Sequence, residues 1–383
     1  MVAALAALED AFARSSRGQG PIDGPASGPV IGYVGADVPV ELLTAAGFHA
    51  VRLTGDPGAD SVLGDRYLGR GVDPMARSIL TRLLNGAYGE LDRVVVGHDC
   101  EASLRLFYAL RELRRVEPGA GVPEPYLVDI LHLPHRTTAR YNHRRIGEFA
   151  ARLAAWTGRP PALAAPDLAE PDLAASRLAV AIAAHDERRR LLAAVAGLRR
   201  SSPARLTGAQ FLAAANAPLP PAEHVRLLRE LLAQADGLPE RHGRRVFLSG
   251  SDHDTAHVYR AIEADGHVIV GEDHSFGDPQ AERLVGGGGL DALAEHYHEY
   301  GPTAHRATTA ERAAHAAVAA RRCGAELFVA YARTGDDAPA WDFPAQRAAL
   351  DIPAVLLDRQ DYGHADLAAL HKADLAAPRE EDA

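Results

Sequence analysis

The chain has 383 residues, a formal net charge of −10, 47% hydrophobic residues and 2 cysteines. This length and apolar content are sufficient for two globular domains, each with its own core. The acidic charge balance argues against a nucleic-acid partner, and no uncharged apolar run reaches the length of about 18 residues that a membrane span needs. Because so few cysteines are typical of a reducing compartment, we expect a cytoplasmic protein without a disulfide framework.

The first ten residues lack the basic region of a signal peptide and meet two acids at Glu9 and Asp10. They therefore predict an amphipathic helix rather than a cleaved leader. A segment rich in Gly, Pro and Ser follows at residues 16–29 and is typical of a linker. We expect residues 1–29 to form an N-terminal helix and linker outside the main domains.

Short apolar strands alternate with helices in the next part of the chain. Strands are predicted at residues 30–34, 50–53 and 93–96, and helices at residues 39–46 and 74–87. Pro39 is suited to begin the first of these helices, and Gly47 is suited to end it. This alternation predicts parallel βαβ units and a first α/β lobe at residues 30–141.

A helical segment and a second α/β lobe follow. Residues 142–240 are rich in Ala, Leu and Arg with a period near 3.6, which predicts helices almost throughout. The second lobe is predicted at residues 241–370, and its expected strands are residues 244–250, 267–270, 326–331 and 353–357. We expect residues 371–383 to be a fraying tail. The predicted fold is α/β, with two parallel-sheet lobes of the flavodoxin or Rossmann type flanking the helical segment.

Polar side chains cluster where the predicted strands end. In open parallel sheets, ligands bind outside the carboxyl ends of the strands, so these residues are the candidates for a site. They are His98, Asp99 and Cys100 in the first lobe, and Glu272, Asp273, His274, Ser275, Asp336 and Asp337 in the second.

Cys100 follows an apolar strand and leaves three interpretations open. Its thiol could bind a metal ion or cluster together with His98 and Asp99, it could be a buried structural thiol, or it could be a nucleophile. Adjacent residues of a strand point to opposite faces, so His98, Asp99 and Cys100 converge only if the strand has already ended. Their spacing matches no standard zinc pattern.

The two other clusters each have a catalytic and an ordinary interpretation. Glu272, Asp273 and His274 combine carboxylates with an imidazole, which suits proton transfer, but a polar loop that caps the next helix has the same composition. Asp336 and its neighbour Asp337 could bind a hard cation such as Mg²⁺, or could form a turn.

Taken together, these segments resemble the 2-hydroxyacyl-CoA dehydratase family, which includes subunits of benzoyl-CoA reductase. The resemblance covers nearly the whole chain in the family's order. The residues that carry it are 38–47, 51–53, 73–78, 98–101, 126–129, 133–134, 156–158, 248–250, 270–273, 336–344 and 352–358.

The resemblance implies the smaller subunit of a heterodimer of two homologous, two-lobed subunits. Each subunit of the family holds an iron–sulfur cluster through three cysteines, and an ATP-driven activator delivers one electron. A ketyl radical then permits loss of the 2-hydroxyl group from a 2-hydroxyacyl-CoA, which is a lyase reaction. The cofactor implied in this way is a [4Fe–4S] cluster.

This chain departs from the family pattern at the cluster positions. Cys100 is retained, whereas Asp73 and Asp336 stand at the other two cysteine positions, and Ser275 stands where some relatives have another cysteine. Carboxylates are harder donors than thiolates and stabilise a low-potential cluster less well. The resemblance therefore implies an altered metal site at Asp73, Cys100 and Asp336.

Three hypotheses follow. The chain could be a dehydratase-like subunit that works with a homologous partner, in a heterodimer or a homodimer, with the intact cluster in the partner. It could instead be a cluster-free member that binds an acyl-CoA or another small anion, or that serves only in assembly. The third hypothesis is a divalent-metal hydrolase or lyase that uses His98, Cys100, Asp73 and Asp336.

Overall fold

The structure is a computed structural model that describes residues 2–16, 28–157, 171–299 and 307–375. Its strands are β1 Val30–Val34, β2 His49–Arg52, β3 Arg93–Gly97, β4 Glu124–Val128, β5 Arg244–Gly250, β6 His267–Glu272, β7 Leu327–Arg333 and β8 Ala354–Gln360. Its α-helices are α1 Ala3–Ser16, α2 Val40–Ala46, α3 Val62–Leu68, α4 Pro74–Leu84, α5 Glu101–Val116, α6 Arg136–Thr157, α7 Pro171–Arg200, α8 Gly208–Asn216, α9 Pro221–Ala233, α10 His257–Ala264, α11 Leu290–His298, α12 Thr309–Arg322, α13 Ala338–Ala349 and α14 Ala368–Leu375.

The strands form two four-stranded sheets with the same order. The first sheet runs β2-β1-β3-β4 and the second runs β6-β5-β7-β8, and all neighbouring strands are parallel. This is the order in which a flavodoxin-like sheet begins. The predicted α/β fold with two parallel-sheet lobes is confirmed.

Each sheet has buried central strands, as expected when helices cover both faces. Val94, Val95 and Val96 of β3 are fully buried, and so are Phe328 and Val329 of β7. Because both faces are covered, these strands read as continuous apolar runs in the sequence. The carboxyl ends of the strands are therefore the part of each sheet where polar side chains can collect.

Strand β4 is a strand that the sequence did not predict. It lies at the edge of the first sheet, its residues 124–127 are only half-buried, and it contains Pro125. Proline is confined to edge positions of sheets because it cannot donate a ladder hydrogen bond. A half-exposed strand with a proline lacks the apolar run that identified the other strands.

The long helix α7 contacts both lobes. Arg189 binds Glu41 of the first lobe, with Nη2 2.5 Å from Oε1. Arg199 binds Glu272 and Asp278 of the second lobe, at 2.5 and 2.7 Å. All these side chains are buried, so α7 fixes both lobes to one element.

The ends of the chain differ in part from expectation. Helix α1 confirms the predicted N-terminal helix, while residues 17–27 of the expected linker lie outside the described residues. Helix α14 extends five residues into the expected tail, because Leu370 is buried in the core of the second lobe and anchors the helix there. No helix in the described ranges combines the length and apolar character needed to cross a membrane.

Candidate active-site cleft

A cleft of about 330 Å³ lies where the carboxyl ends of the two sheets face each other. The first lobe contributes the loop after β3 and the start of α4, and the second contributes the loops after β5, β6 and β7. Eight of the predicted site residues line it together: Asp73, Asp99, Cys100, Asp273, His274, Ser275, Asp336 and Asp337. Its volume lies at the small end of the usual range for small-molecule sites.

Asp73 joins the two lobes through an ion pair. It is the N-cap of α4, where its carboxylate accepts a hydrogen bond of 2.8 Å from the Met75 backbone. The Arg333 guanidinium donates to both of its oxygens, with Nε 3.0 Å from Oδ1 and Nη2 2.6 Å from Oδ2. Both side chains are buried. A cation bound to Asp73 would have to displace or lie against this guanidinium.

Cys100 is held as a neutral thiol. It is the N-cap of α5, and its sulfur accepts a hydrogen bond from the Ser103 backbone at 3.4 Å and lies 3.1 Å from the Ser103 hydroxyl. Burial raises the pKa of this thiol, and the negative charge of Asp99 raises it further. Because the thiolate is the nucleophilic form of cysteine, the Cys100 environment disfavours a nucleophilic role.

Asp336 lies in the loop after β7 and accepts a hydrogen bond of 2.7 Å from the Ser251 hydroxyl. Burial raises its pKa. The preceding residue, Gly335, has φ +92°, and a Cβ there would lie 3.2 Å from the Asp73 Cα and N atoms. Glycine therefore permits the close approach of this loop to the start of α4.

Asp273 and His274 form the wall that the second lobe contributes after β6. Asp273 accepts hydrogen bonds from the Ser249 hydroxyl at 2.8 Å and from the Gly250 backbone at 3.3 Å. Burial raises the pKa of Asp273 to about 7. His274 Nε2 lies 2.6 Å from the Tyr259 hydroxyl, and burial lowers the pKa of the imidazole. At neutral pH this wall can hold an exchangeable proton on Asp273 and a neutral histidine.

Ser275 connects the cleft to an arginine of the first lobe. Its hydroxyl donates to Asp252 Oδ2 at 2.6 Å and accepts from Arg52 Nη2 at 2.7 Å. The Arg52 guanidinium also lies over the Phe276 ring, 3.4 Å from its centroid. Both hydrogen bonds fix the hydroxyl in place, so Ser275 serves as a polar link between the lobes.

Two predicted site residues lie outside the cleft lining. His98 Nδ1 is 2.8 Å from Asp129 Oδ1, and Asp129 also accepts from the Tyr141 hydroxyl. Glu272 ends β6 but points to α7, where Arg199 donates to both of its oxygens at 2.5 and 2.6 Å. Neither side chain lines the cleft.

The sequence interpretation assigned no role to the two arginines of the cleft, Arg312 and Arg333, although Arg333 lies in one of the strand-end segments that it considered. The sequence pattern could have identified Arg333 as a site residue, because it is the one charged residue in the apolar strand β7 and stands at its carboxyl end. Arg312 lies on α12 and binds Asp342 of α13, with Nε 2.7 Å from Oδ2. Helix α12 carries several arginines, and nothing in the sequence distinguishes this one.

The cleft residues do not fit a cluster held by three thiolates. The three positions offer one thiol and two carboxylates, and Arg333 already binds one of those carboxylates. In the described ranges, one set of three metal-binding side chains places its ligand atoms within 4.8 Å of one another, namely Asp265, His267 and Asp374. That set lies away from the cleft, and Asp73, Cys100 and Asp336 do not form another.

A comparison of the sequence with known protein families gives a match that covers most of the chain. The family model described as 2-hydroxyglutaryl-CoA dehydratase, D-component, matches residues 36–370. This range includes seven of the eight described strands, all except β1, and every residue of the cleft lining named above. No curated protein matches the chain. The family match covers most of its length, and the chain therefore belongs to the 2-hydroxyglutaryl-CoA dehydratase D-component family.

Proposed function

We propose that this chain is a 2-hydroxyacyl-CoA dehydratase-like subunit without an iron–sulfur cluster of its own. It would work with a homologous partner subunit that carries the cluster, and it would contribute the inter-lobe cleft to the assembly. The reaction of that assembly would be removal of water from a 2-hydroxyacyl-CoA.

The ion pair between Asp73 and Arg333 is the observation that carries this proposal. In a cluster-bearing chain the position of Asp73 would hold a thiolate, whereas here the guanidinium of Arg333 donates to both carboxylate oxygens. The positive charge of Arg333 disfavours a metal ion beside it.

The cleft itself suits a small polar acyl group. Burial raises the pKa of Asp273 to about 7, so its carboxyl can donate a hydrogen bond as a neutral acid near neutral pH. A cleft of about 330 Å³ accepts a short acyl group but not a whole coenzyme A. The second element of the proposal is therefore that the cleft binds the acyl part of the substrate while the coenzyme A part extends into the solvent.

Iron and sulfide analysis tests the absence of a cluster. The full chain is purified anaerobically and its iron, sulfide and visible absorbance are measured before and after reconstitution with iron and sulfide. We expect no stoichiometric iron in either sample. About four iron atoms per chain, with matching sulfide, would overturn the proposal.

A gain-of-function variant sharpens this test. Asp73→Cys combined with Asp336→Cys restores three cysteines, and Arg333→Ala in the same chain removes the opposing guanidinium. We expect this triple variant to take up iron and sulfide on reconstitution, while the matched control with Asp73→Ser, Asp336→Ser and Arg333→Ala does not. Equal iron in both variants would show that the three positions do not surround a common centre.

The partner is tested on the native assembly. The tagged full chain is expressed in its own host and purified anaerobically, and its companions are identified by mass spectrometry. We expect a stoichiometric second member of the same family that retains three cysteines at the cluster positions. Recovery of the chain as a monomer with no such companion would contradict the subunit proposal.

A further inference from the structure

A group of acids and histidines lies at the end of the second sheet opposite the cleft. Asp265 lies in the turn before β6, His267 is the first residue of β6, and Asp374 is on α14. One ligand atom from each of these residues lies within 4.8 Å of the others. Because β6 has six residues, its far end, which leads to the cleft, is about 17 Å away.

His267 is the side chain that indicates a ligand. It is 3% exposed, and its Nδ1 atom has no hydrogen-bond partner. Nδ1 faces Asp265 Oδ2 at 3.7 Å, and that oxygen is also buried without a partner. Leaving two buried polar atoms without partners is unfavourable unless something binds between them.

The separation of these two atoms fits two ligands of one metal ion. A distance of 3.7 Å is too long for a hydrogen bond. Two ligands that each bind zinc at about 2.0–2.1 Å lie about 3.3–3.7 Å apart for bond angles of about 110–130°. Imidazole and carboxylate are both common zinc ligands.

The surrounding residues orient the group. Arg244 donates to Asp374 Oδ1 at 2.6 Å, which leaves Oδ2 facing His267 Nε2 at 3.2 Å. A carboxylate at the second ring nitrogen is the usual arrangement around a metal-bound histidine. His371, three residues before Asp374 on the same face of α14, lies with Nε2 2.9 Å from Asp265 Oδ1.

We propose that Asp265 Oδ2 and His267 Nδ1 bind one divalent transition-metal ion of the zinc class, while Asp374 holds the other ring nitrogen of His267. His371, whose side chain is 57% exposed, and water molecules complete the coordination on the solvent side. Through Asp374 and His371 the site connects α14 to the start of β6 and so fixes this helix on the second lobe. This site is independent of the function proposed for the cleft.

A zinc titration tests the site. The full chain is treated with chelator and titrated with Zn²⁺ against a competing dye. We expect one zinc ion per chain at micromolar or lower concentration, and a thermal midpoint that rises by about 2 °C or more with zinc. We expect His267→Ala and Asp265→Asn each to abolish the binding of this zinc ion and the rise in the thermal midpoint. The control His135→Ala, which changes an exposed histidine before α6, retains both.

Two results would overturn the proposal. One is the absence of stoichiometric zinc in the unmodified chain, which would indicate that His267 is held only by its contacts with the two carboxylates. The other is equal zinc binding by His267→Ala and the unmodified chain, which would indicate adventitious binding at other histidines. Should His267→Ala fail to fold, Co²⁺ bound to the unmodified chain gives an independent measurement. The visible absorption of tetrahedral cobalt supports the site, and its absence contradicts it.

Discussion

The two lobes have sheets of the same strand order but give the cleft two different walls. The first lobe contributes Asp73, Asp99 and Cys100, and no arginine of the described first lobe lines the cleft. The second lobe contributes Arg312 and Arg333, each bound to an aspartate. The same strand order therefore does not determine the chemistry of a site, because the reactive side chains lie mainly on the loops that follow the strands.

The first wall is held mainly by hydrogen bonds and the second by charge pairs. Burial raises the pKa of Asp99, and its carboxyl accepts from the Ala36 backbone at 2.7 Å. Burial also raises the pKa of the Cys100 thiol. Arg333 instead binds Asp73 across the cleft and the Asp252 carbonyl at 2.6 Å. Substitutions in the second wall should consequently cost more stability than substitutions of the Cys100 thiol.

The largest effect is expected for Arg333→Met. This change leaves the carboxylate of Asp73, which is 7% exposed, without its partner, and we expect a loss of about 3–5 kcal/mol in the free energy of unfolding. Urea unfolding measures it. The control Arg347→Met, at an exposed position of α13, should change stability by about 0.5 kcal/mol or less. Asp73→Asn in the Arg333→Met background should recover part of the loss. A cost below about 1 kcal/mol for Arg333→Met would show that the ion pair does not hold the walls together.

Gly335→Ala should have the next largest effect. At φ +92° an alanine is strained, and its Cβ would lie 3.2 Å from the Asp73 backbone. We expect a loss of about 1–3 kcal/mol, measured by the same unfolding experiment. Gly119→Ala is the control, since a Cβ there has no atom within 4 Å and φ is not positive. Equal stability of the two variants would mean that the loop after β7 can move away from α4.

Asp273→Asn should change the pH dependence of stability. The pKa of Asp273 is about 7 in the folded chain and about 3.9 in the unfolded chain. Between these two pH values the folded state keeps a proton that the unfolded state has lost. Its contribution to stability is present below pH 4 and is lost as the pH rises to about 7. The asparagine side chain has no such proton, and the free energy of unfolding of the variant should fall less between about pH 4 and 7 in urea titrations. The control Asp60→Asn, at an exposed position, should follow the unmodified chain. A variant slope equal to that of the unmodified chain would refute the raised pKa.

Cys100→Ser should have the smallest effect. Serine is a better N-cap than cysteine, so α5 keeps its cap and stability should change by about 0.5 kcal/mol or less. The other cysteine provides the comparison. Cys323 is 2% exposed in an apolar cluster, and Cys323→Ser should cost about 1–3 kcal/mol because it buries a hydroxyl there. A large loss for Cys100→Ser, or a loss of bound iron, would show that the Cys100 sulfur has a ligand.

Local patterns predicted most of the fold and about half of the cleft. Apolar runs identified seven strands, and the parallel sheets then placed Cys100, Asp273 and Asp336 at the same edge. The partner of Asp73 could not be found in this way, because Arg333 is 260 residues away in the chain. His98 and Glu272 also lie near strand ends, but the direction of their side chains depends on packing with Asp129 and with α7.

Helix α7 has a consequence for the size of what the cleft can accept. Arg189 and Arg199, which bind opposite lobes, are ten residues apart on this helix, or about 15 Å along its axis. An α-helix does not stretch, so the distance between these two ion pairs is fixed and holds the lobes at one separation. Opening the cleft by moving the lobes apart would break one of the two buried ion pairs. A ligand too long for the observed separation of the walls would therefore have to break one of these ion pairs in order to bind.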